Sequence, residues 1–213
     1  MQFKTIFWDC DGTLVNTEYL YFESTKSVLA SAGVHITREW YVNEMLKKGA
    51  SSMAYALSQG IPEAEVQRLR TIRNGDYLEL LKKYVPVNDG VIQTLDRLHK
   101  KVPMGIVTAA LRMHFEQIMK TTGLGKYFDF SICADDVTNI KPNPEAYLRA
   151  WEQSGFEKED CLAIEDTEHG LTAAKAAGLT CFACPTEFSH TNDFSAADTI
   201  LTNVREILPH FSS

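Results

Sequence analysis

The stretch "FWDCDGTLVNTE", Phe7 to Glu18, places two carboxylates, Asp9 and Asp11, at the point where an apolar run stops and Gly12-Thr13 begins. The run that leads into it, Phe3 to Asp9 ("FKTIFWD"), is short, apolar and rich in β-branched and aromatic residues, the pattern of a buried strand. Two acids so close repel each other and call for a cation or a shared proton. The stretch therefore reads as a strand that ends at a polar edge, with that edge built to hold something.

Working outward, residues 17 to 84 are helical in pattern and almost free of strand signals. "EYLYFESTKSVLASAG" ends on Gly33, "TREWYVNEMLKKG" on Gly49 and "SSMAYALSQG" on Gly60, each glycine a helix stop. "PEAEVQRLRTIRNGDYLELLKKY" then opens with Pro62 in a first helical turn. From residue 87 the character changes. Helices of about a dozen residues alternate with the strands "VPMGIVTA", "FDFSICA", "DCLAIED" and "LTCFAC", followed by a short "DTIL" and a last helix "VREILPHF". That alternation predicts βαβ units and a parallel sheet. The expected organisation is an α/β core, residues 1–16 and 87–213, interrupted after its first strand by an all-helical module, residues 17–86.

The bulk composition narrows the function. The chain has 213 residues and a formal net charge of −7. With no basic run it is a poor match to nucleic acid or an anionic membrane surface. No apolar run reaches the roughly 20 residues of a membrane span, and the acids at positions 9 and 11 interrupt the N-terminus too early for a signal peptide. The five cysteines, Cys10, Cys133, Cys161, Cys181 and Cys184, lie mostly in strand-like segments, as expected of reduced thiols in a cytoplasmic protein. Cys181 and Cys184 form a C-x-x-C, but no second Cys/His pair has metal-site spacing, and strand burial accounts for them.

In open parallel sheets ligands bind at the carboxyl ends of the strands. Here those ends carry Asp9 and Asp11, then Thr108 with Ala109 beside it, then Glu165 and Asp166, while a loop after "FDFSICA" carries Lys141 in "NIKPNP". Carboxylates without a neighbouring thiol or imidazole suit a hard, oxygen-loving cation, Mg²⁺ above all. An ionised aspartate beside a cation and a phosphoryl group can attack phosphorus. A second one can give and take the proton. Thr108 and Lys141 can hold the phosphoryl oxygens as charge builds. The plainer alternatives are an aspartate pair capping a turn, and Glu165-Asp166 capping the following helix.

The motifs "DCDGTL", "GIVTAA", "IKPNPEAY" and "IEDTEHGLTAAKAAG" resemble, in order and spacing, the four motifs of the haloacid dehalogenase superfamily. Within it the chain resembles the β-phosphoglucomutase-like phosphatases, which insert a helical cap after the first strand. The resemblance implies a Rossmann-like, doubly wound parallel sheet with residues 17–86 as the cap. It implies Asp9 as nucleophile and Mg²⁺ ligand, and Asp11 as general acid/base lending its backbone carbonyl to the metal. Thr108 and Lys141, with Ala109, would bind phosphate; Asp166 would ligate Mg²⁺, and Glu165 would be a ligand or a helper. The implied activity is hydrolysis of a small phosphorylated metabolite, a sugar phosphate or similar, through an aspartyl-phosphate; the alternative is a phosphomutase.

Departures from the family pattern sharpen this. Dehalogenases lack the second aspartate, so Asp11 argues for phosphate chemistry. Phosphonate-cleaving relatives also lack it and use a cap lysine; Lys47 or Lys48 could mimic that lysine, but Asp11 argues against it. Tyr21 stands where the mutase has a histidine, and Ser52 where it has an arginine, which favours hydrolysis. Asn16 replaces a common hinge aspartate. The loop "LKKGASS", with Lys48, Gly49, Ser51 and Ser52, is the expected specificity loop, joined by Tyr21. Trp40, Met53 and Tyr55 read as cap core, and His169 as a solvent-facing helix residue.

Overall fold

The computed structural model describes residues 2–211. A six-stranded sheet, all parallel, runs in the order β3-β2-β1-β4-β5-β6. Its strands are β1 (Thr5–Trp8), β2 (Met104–Val107), β3 (Phe130–Ile132), β4 (Cys161–Glu165), β5 (Thr180–Ala183) and β6 (Thr199–Ile200). The fold is thus the doubly wound α/β class.

Every residue of β1 is buried, as a strand covered on both faces requires. The period of two sends its side chains to opposite layers. Ile6 and Trp8 join Met104, Ile106, Leu162 and Ile164 in one core cluster, covered by α5 (Val91–Leu98), α6 (Arg112–Thr122) and the C-terminal 3₁₀ turn Val204–Phe211. Phe7 joins Val107, Ala163 and Cys181 in the other, covered by α7 (Glu145–Ser154) and α8 (Glu168–Ala176). Gly105 in β2 leaves the room that the Phe130 ring fills, for a Cβ there would lie 2.3 Å from it.

Four helical pieces stand between β1 and β2. They are α1 (Glu18–Ser31), α2 (Arg38–Trp40) running straight into a π-helical stretch (Tyr41–Lys47), α3 (Ser52–Ser58) and α4 (Glu63–Lys83). The π-helical stretch is a departure from the single α-helix the sequence suggests. Pro62 sits just outside α4, in the N-cap position, rather than in its first turn. These pieces have a hydrophobic cluster of their own, including Phe22, Leu29, Tyr41, Met53 and Leu69, to which residues after β5 contribute one ring, Phe188. The two connections between helices and sheet run side by side: Val15 bridges Val87, and the Asn16 N–H donates to the Pro86 carbonyl at 2.8 Å.

The five cysteines are free thiols. No described helix is long and apolar enough to cross a membrane.

Candidate active site

The chain moves from β1 to β2 and β3 on one side of the sheet and to β4, β5 and β6 on the other. The strand order therefore reverses between β1 and β4, and the crevice beyond their carboxyl ends is the natural ligand site. Asp9 follows β1 and Glu165-Asp166 ends β4, so the register itself sets these acids face to face.

One ligand oxygen from each of Asp9, Glu165 and Asp166 lies within 4.8 Å of the others, and all three residues are buried. Lys141 reaches into the group from the loop before α7. Its Nζ donates to Asp9 Oδ1 at 2.8 Å, Glu165 Oε1 at 2.6 Å and the Val107 carbonyl at 2.8 Å. Tyr147 on α7 donates to the same Glu165 oxygen at 2.6 Å. Glu165 Oε1 is thus spent on Lys141 and Tyr147, while its buried Oε2 makes no hydrogen bond.

Asp9 is held unequally: Oδ1 is clamped by Lys141, whereas the buried Oδ2 makes no hydrogen bond. Both carboxylate oxygens of Asp166 are also buried without a partner. Burial pushes the Asp9 carboxyl up to about 6, against the pull of Lys141 and with a further push from Glu165. Burial and the charges of Asp9 and Glu165 raise Asp166 well above the carboxylate range. Burial pulls the Lys141 pKa down, but Asp9 and Glu165 outweigh it and hold the ammonium above its usual range.

Orphaned carboxylate oxygens that repel one another are what a hard dication relieves. The backbone is shaped for the same end. Gly12, with φ +91°, lies so close to Asp166 that a Cβ would stand 2.0 Å from Oδ2, and only glycine fits that cradle. Gly170 gives Glu165 the same room, at 2.0 Å from Oε2. The donor set therefore fits a hard divalent cation in its chemistry.

Asp11 stands apart from this cluster. Thr17 donates to its Oδ1 at 2.5 Å, Tyr77 to the same atom at 3.4 Å and Thr108 to Oδ2 at 3.4 Å. Burial raises its pKa, and the Thr17, Thr108 and Tyr77 hydroxyls oppose that rise. The Thr108 hydroxyl in turn accepts from the Ala110 N–H at 3.0 Å. The turn that follows the two aspartates is pinned by Asn88, whose amide donates to the Gly12 and Thr13 carbonyls at 2.6 and 3.0 Å.

Asp9, Asp11, Thr108, Lys141, Glu165 and Asp166 thus converge. Ala109 sits next to Thr108, exposed. The helical segment contributes unevenly. Gly49 comes against the Lys141–Pro142 loop, where a Cβ would meet Pro142 Cδ at 3.3 Å. Lys48, in contrast, pairs with Glu44 at 2.7 Å and stays exposed. Ser51 caps α3 by accepting from the Ala54 N–H, and Ser52 is buried. Tyr21 lies edge-on to Tyr77, ring centroids 5.1 Å apart, and its hydroxyl accepts from Arg73.

Some participants are not legible in the sequence. Glu18, one residue past Thr17, accepts from the Tyr41 hydroxyl at 2.7 Å, and burial pushes its carboxyl up to about 7, with Asp11 and Asp9 adding to the rise. Tyr77, Tyr147 and Asn88 reach the site from helices or loops far along the chain, and only a polar group at helical spacing hints at them. His169 corrects the solvent-facing reading. It is partly buried and its Nδ1 donates to the Leu46 carbonyl at 2.8 Å, so α8 is tied to the helical segment.

This constellation, on this sheet, is that of a hydrolase with a buried carboxylate centre. The model of the haloacid dehalogenase-like hydrolase family matches residues 6–184, and the chain belongs to that family. It is 30% identical over 213 residues to the protein CbbY of Rhodobacter capsulatus, covering 93% of this chain and 92% of that one. It is 30% identical over 220 residues to the validoxylamine A 7′-phosphate phosphatase of Streptomyces hygroscopicus subsp. limoneus, with 98% of each chain covered. Among solved structures, an aspartate-to-asparagine mutant of CbbY from Rhodobacter sphaeroides, in complex with xylulose 1,5-bisphosphate, superposes with a TM-score of 0.87. That match is at 23% identity, over 99% of this chain and 100% of the other.

Proposed function

We propose that this phosphoric monoester hydrolase removes phosphate from a small phosphorylated metabolite, a sugar phosphate or similar, with Mg²⁺ and through an aspartyl-phosphate on Asp9. The observation that carries the reading is the inequality of the two Asp9 oxygens. Lys141 fixes Oδ1, and the buried Oδ2 makes no hydrogen bond. Relatives named as phosphatases of small metabolites support it.

In the first step Asp9 Oδ2 forms the bond to phosphorus as the bond from phosphorus to the leaving oxygen breaks. Asp11, protonated, gives its proton to that oxygen. In the second step water attacks phosphorus, Asp11 takes the proton back, and the Asp9–phosphorus bond breaks to release inorganic phosphate. The three hydroxyls around Asp11 keep its carboxyl aimed through both transfers. Lys141 and Thr108, with the backbone at Ala109, hold the phosphoryl oxygens. Asp9, Asp166 and the Asp11 carbonyl would hold Mg²⁺, with Glu165 as a ligand or as the support of Lys141. Bound there, the cation neutralises charge on the phosphoryl group and on the acids.

Residues 17–86 serve as a cap on the core formed by 1–16 and 87–213. They exclude water and read the leaving group through Tyr21, Glu18 and the loop of Lys48, Gly49, Ser51 and Ser52. Five reduced thiols and a net charge of −7 fit a cytoplasmic enzyme acting on small solutes rather than on nucleic acid or membrane.

The test is release of phosphate from an aryl phosphate and from a panel of sugar, nucleotide and glycolytic phosphates. Turnover should require Mg²⁺ and vanish in Asp9→Asn. Turnover that survives this change removes Asp9 as nucleophile. A hexose 1-phosphate converted to its isomer, without free phosphate, would instead indicate a mutase.

A further inference from the structure

Phe188 follows β5, in sequence a part of the core, yet it is buried among cap residues. Its ring meets Tyr41 edge-on at 6.4 Å, and the Arg38 guanidinium covers it at 4.2 Å from the ring centroid. Arg38 then donates to the neighbouring Glu187 at 2.8 Å. An aromatic side chain and an ion pair thus cross from core to cap at a place separate from the two connecting segments at Val15 and Val87.

The loop that carries Phe188 is stiff. The Thr186 N–H donates to Ser189 Oγ at 2.9 Å, and the His190 and Asn192 N–H groups donate to the Thr186 and Ser189 carbonyls at 2.9 and 2.8 Å. Its far end grips the start of α8. The Glu168 N–H donates to Asn192 Oδ1 at 3.0 Å, and the Asp193 N–H to Glu168 Oε2 at 2.9 Å. That anchor lies two residues past Asp166. The next residue, His169, makes the second tie to the cap at Leu46. Beside the contact a cleft of about 580 Å³, lined by Arg38, Val42, Lys47, Phe188 and Thr191 among others, separates cap from core.

We propose that Phe188 is a positioning residue: the loop after β5 is a clasp that seats the cap over Asp9. The inference rests on the reading of residues 17–86 as a cap. An apolar ring in a preformed pocket suits the task. It gives up its contacts when the cap lifts and regains them without a change of partner, so the seated state is favoured without being locked. The clasp acts through the cap's position and touches no reacting atom.

The expected size follows from the burial of one phenyl ring. Losing it should lower the seated population roughly ten- to a hundredfold. Where substrate must then reseat the cap, apparent affinity falls by the fraction seated while the chemical step is retained. Phe188→Ala should therefore raise KM for an aryl phosphate roughly ten- to a hundredfold with kcat nearly kept, and Phe188→Leu should recover most of the loss.

The experiment reads hydrogen exchange in the substrate-free, full-length protein beside these kinetics. In Phe188→Ala, amides of residues 38–48 and 185–193 should exchange faster while β1, β2 and β4 keep their protection. Glu187→Ala, an exposed change that leaves the core intact, should shift the same segments by a smaller amount and decides the matter where Phe188→Ala does not fold. Unchanged exchange and unchanged KM overturn the clasp. So does a fall in kcat and sheet protection with KM intact and no rescue by leucine, for that is a purely structural residue. If the wild type releases no phosphate from any substrate while the exchange shifts appear, the phosphatase reading fails and the clasp stands.

Discussion

Lys141 Nζ stands 2.6 Å from Glu165 Oε1 in a site where both residues are almost wholly buried, and the same ammonium is 2.8 Å from Asp9. One cation thus serves two carboxylates away from water. Removing it leaves both uncompensated, a loss that costs about 3–5 kcal/mol for a buried pair. Lys141→Ala should therefore lower the urea unfolding free energy of the metal-free protein by that amount, with a matching fall in midpoint, besides losing about 10²–10³ in kcat. Equal midpoints for variant and wild type would show that the pair adds nothing to stability.

Asp11 can be separated from Asp9 by the leaving group. An alkyl phosphate needs a proton on its departing oxygen, whereas a nitrophenyl phosphate does not. Asp11→Asn should slow hydrolysis of the alkyl ester by about 10²–10⁴ and have a much smaller effect on cleavage of the aryl ester in a single-turnover burst. An equal loss on both would assign Asp11 to binding or folding rather than to proton transfer.

Gly12→Ala introduces a Cβ 2.0 Å from Asp166 Oδ2 at a backbone angle of φ +91°. The strain at φ alone is about 1–3 kcal/mol, and Asp166 must also leave its place. We expect a lower thermal midpoint and loss of any stabilisation by added Mg²⁺. A variant stabilised by Mg²⁺ as strongly as the wild type would mean that the Asp166 cradle is not part of the cation site.

Glu145 gives a pH-dependent prediction away from the acids. It accepts from the Thr138 and Asn139 N–H groups, both at 2.9 Å, in the loop that leads to Lys141. These two bonds hold its carboxyl down at about 2, against an ordinary 4.5. A depressed folded-state pKa stabilises the fold above the unfolded value, and the gain is lost as pH falls from 4.5 through about 2. The wild type should therefore outlast Glu145→Gln in urea at pH 6, with the gap closing toward pH 2. A constant gap across that range would mean that the charge is irrelevant.

The sheet and its polar edge are legible in the sequence because each depends on local pattern. Apolar runs of strand length mark β1, β2 and β4, and the acids or hydroxyl that end them must meet once the strands are parallel. Lys141 is legible for the same reason, as the basic group nearest that edge. What stays hidden depends on packing between distant segments. Phe188 lies in the polar stretch "CPTEFSHTND", which has no periodicity to announce a buried ring. Glu18 sits on a helix whose acids are ordinary surface residues until Tyr41, twenty-three positions on, closes over it. His169 escapes because α8 shows helical spacing but not which neighbour covers it. Lys48 is the opposite case. Its i,i+4 partner Glu44 is visible in the sequence and forecasts the exposed pair that the structure holds.

The placement of β1 between β2 and β4 also governs how the molecule is made. β1 leaves the ribosome before β4, one of its two neighbours, whose Cys161 stands opposite Thr5. At about 5–20 residues per second, β1 waits on the order of ten seconds or more for that edge to be covered. During the wait it is a short hydrophobic segment with open hydrogen-bonding edges, the kind of surface that recruits chaperones or other nascent chains. The helices translated next can form on their own local contacts meanwhile. The nascent chain therefore holds a helical segment, its hydrophobic cluster still short of Phe188, beside a strand whose folding must wait.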